Sequence, residues 1–101
     1  MYEKCGIFGI ISKKNSIPFV FKGLQKLQHR GQDGCGIGFV NNNNLQVIKK
    51  IGLVANLEND IKNINSFISI GHNRYATSSK KQCYNEVQPL ESNDFLIVHN
   101  G

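Results

Sequence analysis

Three short polar clusters carry residue types that can do chemistry together: Cys5, the run Arg74-Tyr75-Ala76-Thr77, and the dipeptide Asn100-Gly101. A thiol becomes a strong nucleophile when a nearby base takes its proton. If Met1 through Lys4 are removed, Cys5 gains a free α-amine. Its ordinary pKa of about 7.7–8.0 leaves an appreciable unprotonated fraction near neutral pH. That amine can act as base for its own side chain, the logic of N-terminal nucleophiles. Arg74, followed three residues later by Thr77, can clamp a carboxylate through paired N–H donors. The Asn100 side-chain amide and the Gly101 backbone N–H can form an oxyanion hole. Each cluster also has a plainer reading. Cys5 can be a small buried hydrophobe, Arg74 a surface ion-pair partner, and Asn100-Gly101 a turn.

The elements that would position these clusters follow from hydrophobic spacing. Residues 5–12 form a short apolar run bounded by Gly and polar residues, which predicts a buried, central strand with the thiol at its mouth. Residues 17–28 predict a helix, with Ser16 as N-cap, Pro18 in the first turn, and Val20, Leu24 and Leu27 on one face. His29 and Arg30 suit the last turn, and Gly31 suits a left-handed stop. Glycines alternate at Gly34, Gly36 and Gly38, which lets another chain or a ligand approach the backbone closely. A phosphate-binding loop is not indicated, because no strand precedes this stretch, no helix start follows it, and the Lys-Ser/Thr pair is missing. Residues 36–40 and 45–51 predict a hairpin turning at Asn41 to Asn44, since Asn tolerates left-handed conformations. A short helix over 56–64, a strand over 66–71, a polar loop over 78–91 and a strand over 94–98 complete the chain. Strands outnumber helices and the hairpin is local, which predicts an α+β fold with mainly antiparallel sheets.

Composition narrows the classes. The chain has 101 residues, three cysteines and a formal net charge of +5. The lysine pairs at 13–14, 49–50 and 80–81 are scattered, so they read as solvated loop charge and not as a nucleic-acid surface. The cysteines are odd in number and show no metal-ligand spacing, which points to reduced thiols, a cytoplasmic setting and no metal site. The first apolar run is too short for a membrane span. An apolar run at 95–98 followed at once by His99-Asn100-Gly101 leaves a strand with no later element to cover it, which leads us to expect a partial domain.

Four stretches then resemble a known family. Cys5-Gly6-Ile7-Phe8-Gly9-Ile10 is similar to the amino-terminal motif of the class II, N-terminal-nucleophile glutamine amidotransferases. Ile70-Gly71-His72-Asn73-Arg74-Tyr75-Ala76-Thr77 and Val98-His99-Asn100-Gly101 resemble two further motifs of that family, in the right order. Leu27-Gln28-His29-Arg30-Gly31-Gln32-Asp33 resembles the signature of its amidophosphoribosyltransferase branch. The glucosamine-6-phosphate synthase branch carries a Tyr-Arg-Gly-Tyr-Asp type there instead.

The resemblance implies the four-layer αββα sandwich of N-terminal-nucleophile hydrolases. It implies residues 1–4 as a propeptide and residues 5–101 as part of a glutaminase domain. Cys5 would attack the glutamine side-chain amide, with its own amine moving the proton. Asn100 and Gly101 would hold the oxyanion, Arg74 and Thr77 the α-carboxylate, and Arg30 would lie near the same pocket. Ammonia would pass to a phosphoribosyltransferase domain outside the chain, there to displace pyrophosphate from phosphoribosyl pyrophosphate (PRPP) in the first step of purine synthesis. The full-length enzyme is expected to be a homo-oligomer using Mg2+ and, in some members, a 4Fe-4S cluster. The acidic residue that binds the substrate α-amine would also lie outside the chain. The polypeptide alone is therefore expected to be a weak glutaminase at best, and unstable. Cys35 stands where the family has a small residue, and so reads as a packing variant.

Overall fold

The computed structural model describes residues 5–75 and 84–100. The proposed propeptide, Thr77 and Gly101 lie outside the described residues.

Two sequence signals set the main sheet. Alternating glycines and apolar residues make strand β2 (Gly34–Asn41), and the Asn run turns it back into β3 (Asn44–Ile51). Asn42 and Asn43 carry φ of 54° and 64°, the two-residue turn whose twist matches the flanking strands. Strand β1 (Gly6–Ile11) and strand β4 (Ile68–Arg74) complete a four-stranded antiparallel sheet in the order β1-β4-β2-β3. β4 runs three residues beyond the expected end at 71, because it has a partner on each side. Gly6 pairs with Asn73 on one edge, and Gly34 pairs with Arg74 on the other. β1 is thus an edge strand of this sheet, not the central strand expected. Only one of its faces packs inward: Phe8 and Ile10 meet the core, while Ile11 is 80% exposed.

Helix α1 (Ile17–Lys26) lies on one face of the sheet. Ile17, Val20 and Leu24 are buried with Cys35, Ile37 and Phe39 of β2. Val54, Leu57 and Ile61 close the same core from a 3-10 turn (Val54–Leu57) and a one-turn helix α2 (Glu58–Ile61). The single helix expected over 56–64 is therefore split. Full burial of one such aliphatic side chain contributes about 1.5–3 kcal/mol, and among the described residues this face holds most of the buried apolar side chains. The helix comes close because Gly71 has no side chain: a Cβ there would sit 2.7 Å from Leu24 Cδ1.

Ser16 is the N-cap residue, as expected, but its side chain makes no capping bond; its hydroxyl pairs with Ser69 Oγ at 2.9 Å, tying the helix to β4. Asn15 takes the capping role, its Oδ1 accepting from the N–H of Ile17 and of Ser66. The helix also ends early, at Lys26, and a 3-10 turn follows at Gln28–Arg30. Gln28 is drawn off by its own bridge, donating to the Gly31 carbonyl at 2.7 Å and accepting from Val54 N–H at 2.9 Å. Gly31 is extended at φ −173°, not left-handed. Glycine is needed there for closeness, since a Cβ would lie 2.6 Å from the Arg74 backbone.

On the opposite face of the sheet residues 84–99 cover β2, while Ile7, Ile11 and Ile68 towards the β1 edge stay exposed. Strands β5 (Leu90–Glu91) and β6 (Leu96–Ile97) pair as a second, two-stranded antiparallel sheet. β5 arises inside the stretch expected to be a loop, and β6 is shorter than the strand expected over 94–98. The alternating glycines of β2 make this layer possible. Val87 packs on Gly34, Leu96 on Gly38, and a Cβ at Gly36 would collide with the Gln88 carbonyl. Helices, main sheet and second sheet thus stack as successive α, β and β layers among the described residues.

Candidate active site

Antiparallel pairing brings the start of β1 beside the end of β4. Cys5 immediately precedes β1, and Gly6 faces Asn73. The β2–β4 register puts Arg74, the last residue of β4, opposite Gly34 at the start of β2. Cys5 is 6% exposed. The turn after α1 packs directly on this strand start, with the Arg30 Cβ 3.6 Å from where a Gly6 Cβ would be. Arg30 Nε donates to the Cys5 carbonyl at 2.8 Å.

A cavity of about 350 Å³ opens here, lined in part by Cys5, His72, Arg74, Glu86, Gln88 and His99. That volume is at the small end of ligand pockets, about 300–1,000 Å³. Arg74 is bridged to Glu86, Nη2 to Oε1 at 2.9 Å, with the arginine side chain 18% and the glutamate 62% exposed. The plainer reading of Arg74 as an ion-pair partner is therefore also met, inside the same cavity. Such a solvated pair is worth about 0–1 kcal/mol, so a carboxylate ligand can displace it.

His99, the residue before the third polar cluster, lines the cavity. Asn100 follows it, is exposed, and does not line the cavity itself. Two buried side chains hold the His99 backbone. Gln88 Oε1 accepts its N–H at 2.7 Å, and His72 Nε2 donates to its carbonyl at 3.0 Å. Burial lowers the His72 pKa to about 4, so the ring is neutral at pH 7. With Nε2–H facing a carbonyl, Nδ1 is a bare acceptor, and it has no partner among the described residues. The adjacent Asn73 donates to the Leu24 carbonyl at 2.8 Å and anchors β4 to the helix.

The structure therefore gathers Cys5, Arg74 and the residue before Asn100 around one cavity, and puts Arg30 behind Cys5. Cys35 lies elsewhere, fully buried in the core under α1, where burial pushes its thiol up to about 12. A neutral, enclosed thiol is a packing group. His72, Gln88 and Glu86 were not singled out from the sequence. His72 lay inside a motif read for its arginine, while Gln88 and Glu86 sat in a polar stretch with no spacing cue.

Among the described residues no three His, Cys, Asp or Glu side chains gather as a metal site. The Mg2+ ion and iron–sulfur cluster are implied by resemblance only for the full-length enzyme, with the cluster's ligands outside this chain, and the chemistry below uses only the chain's own groups. No helix among the described residues is long and apolar enough to cross a membrane.

The fold is that of the N-terminal-nucleophile glutamine amidotransferase domains, and the chain's relatives are enzymes of that family. It superposes on glutamine PRPP amidotransferase from B. subtilis with a TM-score of 0.71 and 33% identity, over 89% of this chain and 20% of that one. It is 39% identical to a glutamine–fructose-6-phosphate aminotransferase of Francisella tularensis over 96% of its own length. It is 36% identical to amidophosphoribosyltransferase 3, chloroplastic, of Arabidopsis thaliana over 100%. The chain spans only 16% and 20% of those two relatives. No family model matches it.

Proposed function

We propose that the chain carries the glutamine-hydrolysing centre of a class II amidotransferase of the amidophosphoribosyltransferase kind. The observation that carries this reading is the shared cavity. A cysteine at the start of a strand, an arginine able to take a carboxylate, and the backbone leading into Asn100-Gly101 all meet there.

In this reading removal of residues 1–4 frees the Cys5 amine. The Cys5 sulfur bonds to the side-chain amide carbon of glutamine while its proton passes to that amine. The oxyanion is met by the Asn100 side-chain amide and the Gly101 N–H. The C–N bond then breaks, the amine returns the proton to the departing nitrogen, and ammonia leaves. Water attacks the thioester, releasing glutamate and restoring the thiol. Arg74, with Thr77, holds the α-carboxylate and so sets the distance from it to the reacting carbon.

The branch rests on residues 27–33. The Gln28 bridge and the Arg30 bond to Cys5 are made by residues of that signature. A second reading, delivery of ammonia to fructose 6-phosphate, is favoured by the 39% identity to the Francisella aminotransferase. The full-length protein, incubated with glutamine and either PRPP or fructose 6-phosphate, separates them. Glutamine-dependent release of pyrophosphate supports the first, and formation of glucosamine 6-phosphate replaces it with the second.

A further inference from the structure

We infer that His72 and Gln88 are positioning residues that fix the backbone leading into Asn100 relative to Cys5, by gripping the His99 backbone from both sides. The inference rests on the glutaminase reading above and deepens it.

The segment that leads into Asn100 has little regular structure to hold it. Its strand is only the two residues Leu96–Ile97, and residues 98–100 form no helix or strand. Its fixed point is His99, where both backbone groups are bonded to side chains from elsewhere. Both grips sit on rigid supports. His72 is in the middle of the sheet, opposite Ile7 of β1 and Gly36 of β2, and is 0% exposed. Gln88 is 7% exposed and lies over Gly36, where only glycine leaves room for its carbonyl. One grip donates and the other accepts, so neither side chain can substitute for the other.

The depressed His72 basicity supports the same picture. A neutral ring with its proton on Nε2 is the tautomer this grip requires. A misplacement of about 1 Å at a reacting centre costs about 100-fold in rate. Losing either grip therefore acts on turnover, while the Arg74 side of the cavity and glutamine binding stay as they were.

The test uses the full-length protein and the variants His72→Phe, His72→Gln, Gln88→Leu and Gln88→Glu. Active sites are titrated by diazo-oxonorleucine labelling of Cys5. Glutaminase kcat per titrated site should fall about 10–100-fold in His72→Phe and Gln88→Leu, with KM for glutamine changed less than about twofold. His72→Gln keeps a donor at the Nε2 position and Gln88→Glu keeps the acceptor, so each should recover most of the loss. Hydrogen exchange in the peptide around His99 should quicken in the two disabling variants, while β4 stays protected. Wild-type kcat per titrated site in both disabling variants would overturn the inference. So would loss in equal measure in the conservative variants, which marks a packing role. If the wild-type protein neither hydrolyses glutamine nor takes the label, it is the glutaminase reading that fails. Exchange around His99 then decides the grip alone, and unchanged protection there overturns it.

Discussion

Arg30 Nε donates to the carbonyl of Cys5 at 2.8 Å, across 25 positions of sequence. The bond fixes the backbone of the thiol-bearing residue just where it leaves the sheet. A guanidinium at that point acts on where the sulfur sits. From resemblance alone, Arg30 was expected near the carboxylate pocket. The two roles give different kinetics. Arg30→Ala removes a charge-assisted hydrogen bond worth about 1.5–3 kcal/mol. If Arg30 positions Cys5, the rate of Cys5 alkylation and kcat fall by about tenfold or more while KM holds. A rise in KM with unchanged kcat assigns Arg30 to substrate instead.

The Arg74–Glu86 bridge occupies the group proposed to receive the substrate carboxylate. Glu86→Gln removes a competing anion, so KM for glutamine should fall by up to about fivefold, the scale of a solvated ion pair. Arg74→Ala should raise KM by about 10–100-fold, because a charge-assisted pair to the ligand is lost. Steady-state titration with glutamine reads both. An unchanged KM in Arg74→Ala removes Arg74 from the binding site.

His72 makes the fold sensitive to acid. Its folded pKa, about 4, lies below the unfolded value of 6.5. Between those values the unfolded chain binds more protons than the folded one, so stability rises with pH across that window. The stability is fully present above about pH 6.5, is lost as pH falls towards 4, and levels off below it. The size is on the order of 3 kcal/mol. Urea midpoints measured from pH 7 down to 4.5 should fall, and should fall less in His72→Gln. A parallel decline in that variant assigns the acid sensitivity to other groups.

Glycines of the main sheet differ in what they tolerate. A Cβ at Gly36 meets the Gln88 backbone, which cannot move without lifting the second sheet. A Cβ at Gly9 meets only Ile70 Cγ2, at 3.6 Å. Gly36→Ala should cost about 1–3 kcal/mol, whereas Gly9→Ala should stay within about 0.5 kcal/mol. Denaturant unfolding of the two variants compares them directly. Equal stability contradicts the close approach of residues 87–89 to β2.

Local patterns were readable where they were self-contained. The 42–43 turn needed only residues that accept positive φ, and the α1 face needed only the spacing of Val20 and Leu24. The alternating glycines correctly signalled a closely approaching chain. What escaped depended on partners far away in sequence. β4 runs through Arg74 because β1 and β2 flank it there, and no window around residue 72 records that. Ser16 holds the N-cap position but turns its hydroxyl to Ser69, 53 residues on. β1 lies at an edge of this sheet because of strand order, which its own apolar run cannot encode. At the site, cysteine and arginine were legible as chemical types. His72 and Gln88 were not, since their work is to hold a backbone that only folding brings to them.

The most direct test of the central claim is the intact mass of the full-length protein before and after incubation with diazo-oxonorleucine, with the adduct mapped by peptide sequencing. The account predicts a mature chain beginning at Cys5 and one adduct, on the Cys5 sulfur, prevented by excess glutamine. A chain that keeps residues 1–4 and still labels at Cys5 contradicts the amine's role as base. Labelling at Cys35, or none at all, contradicts the choice of nucleophile.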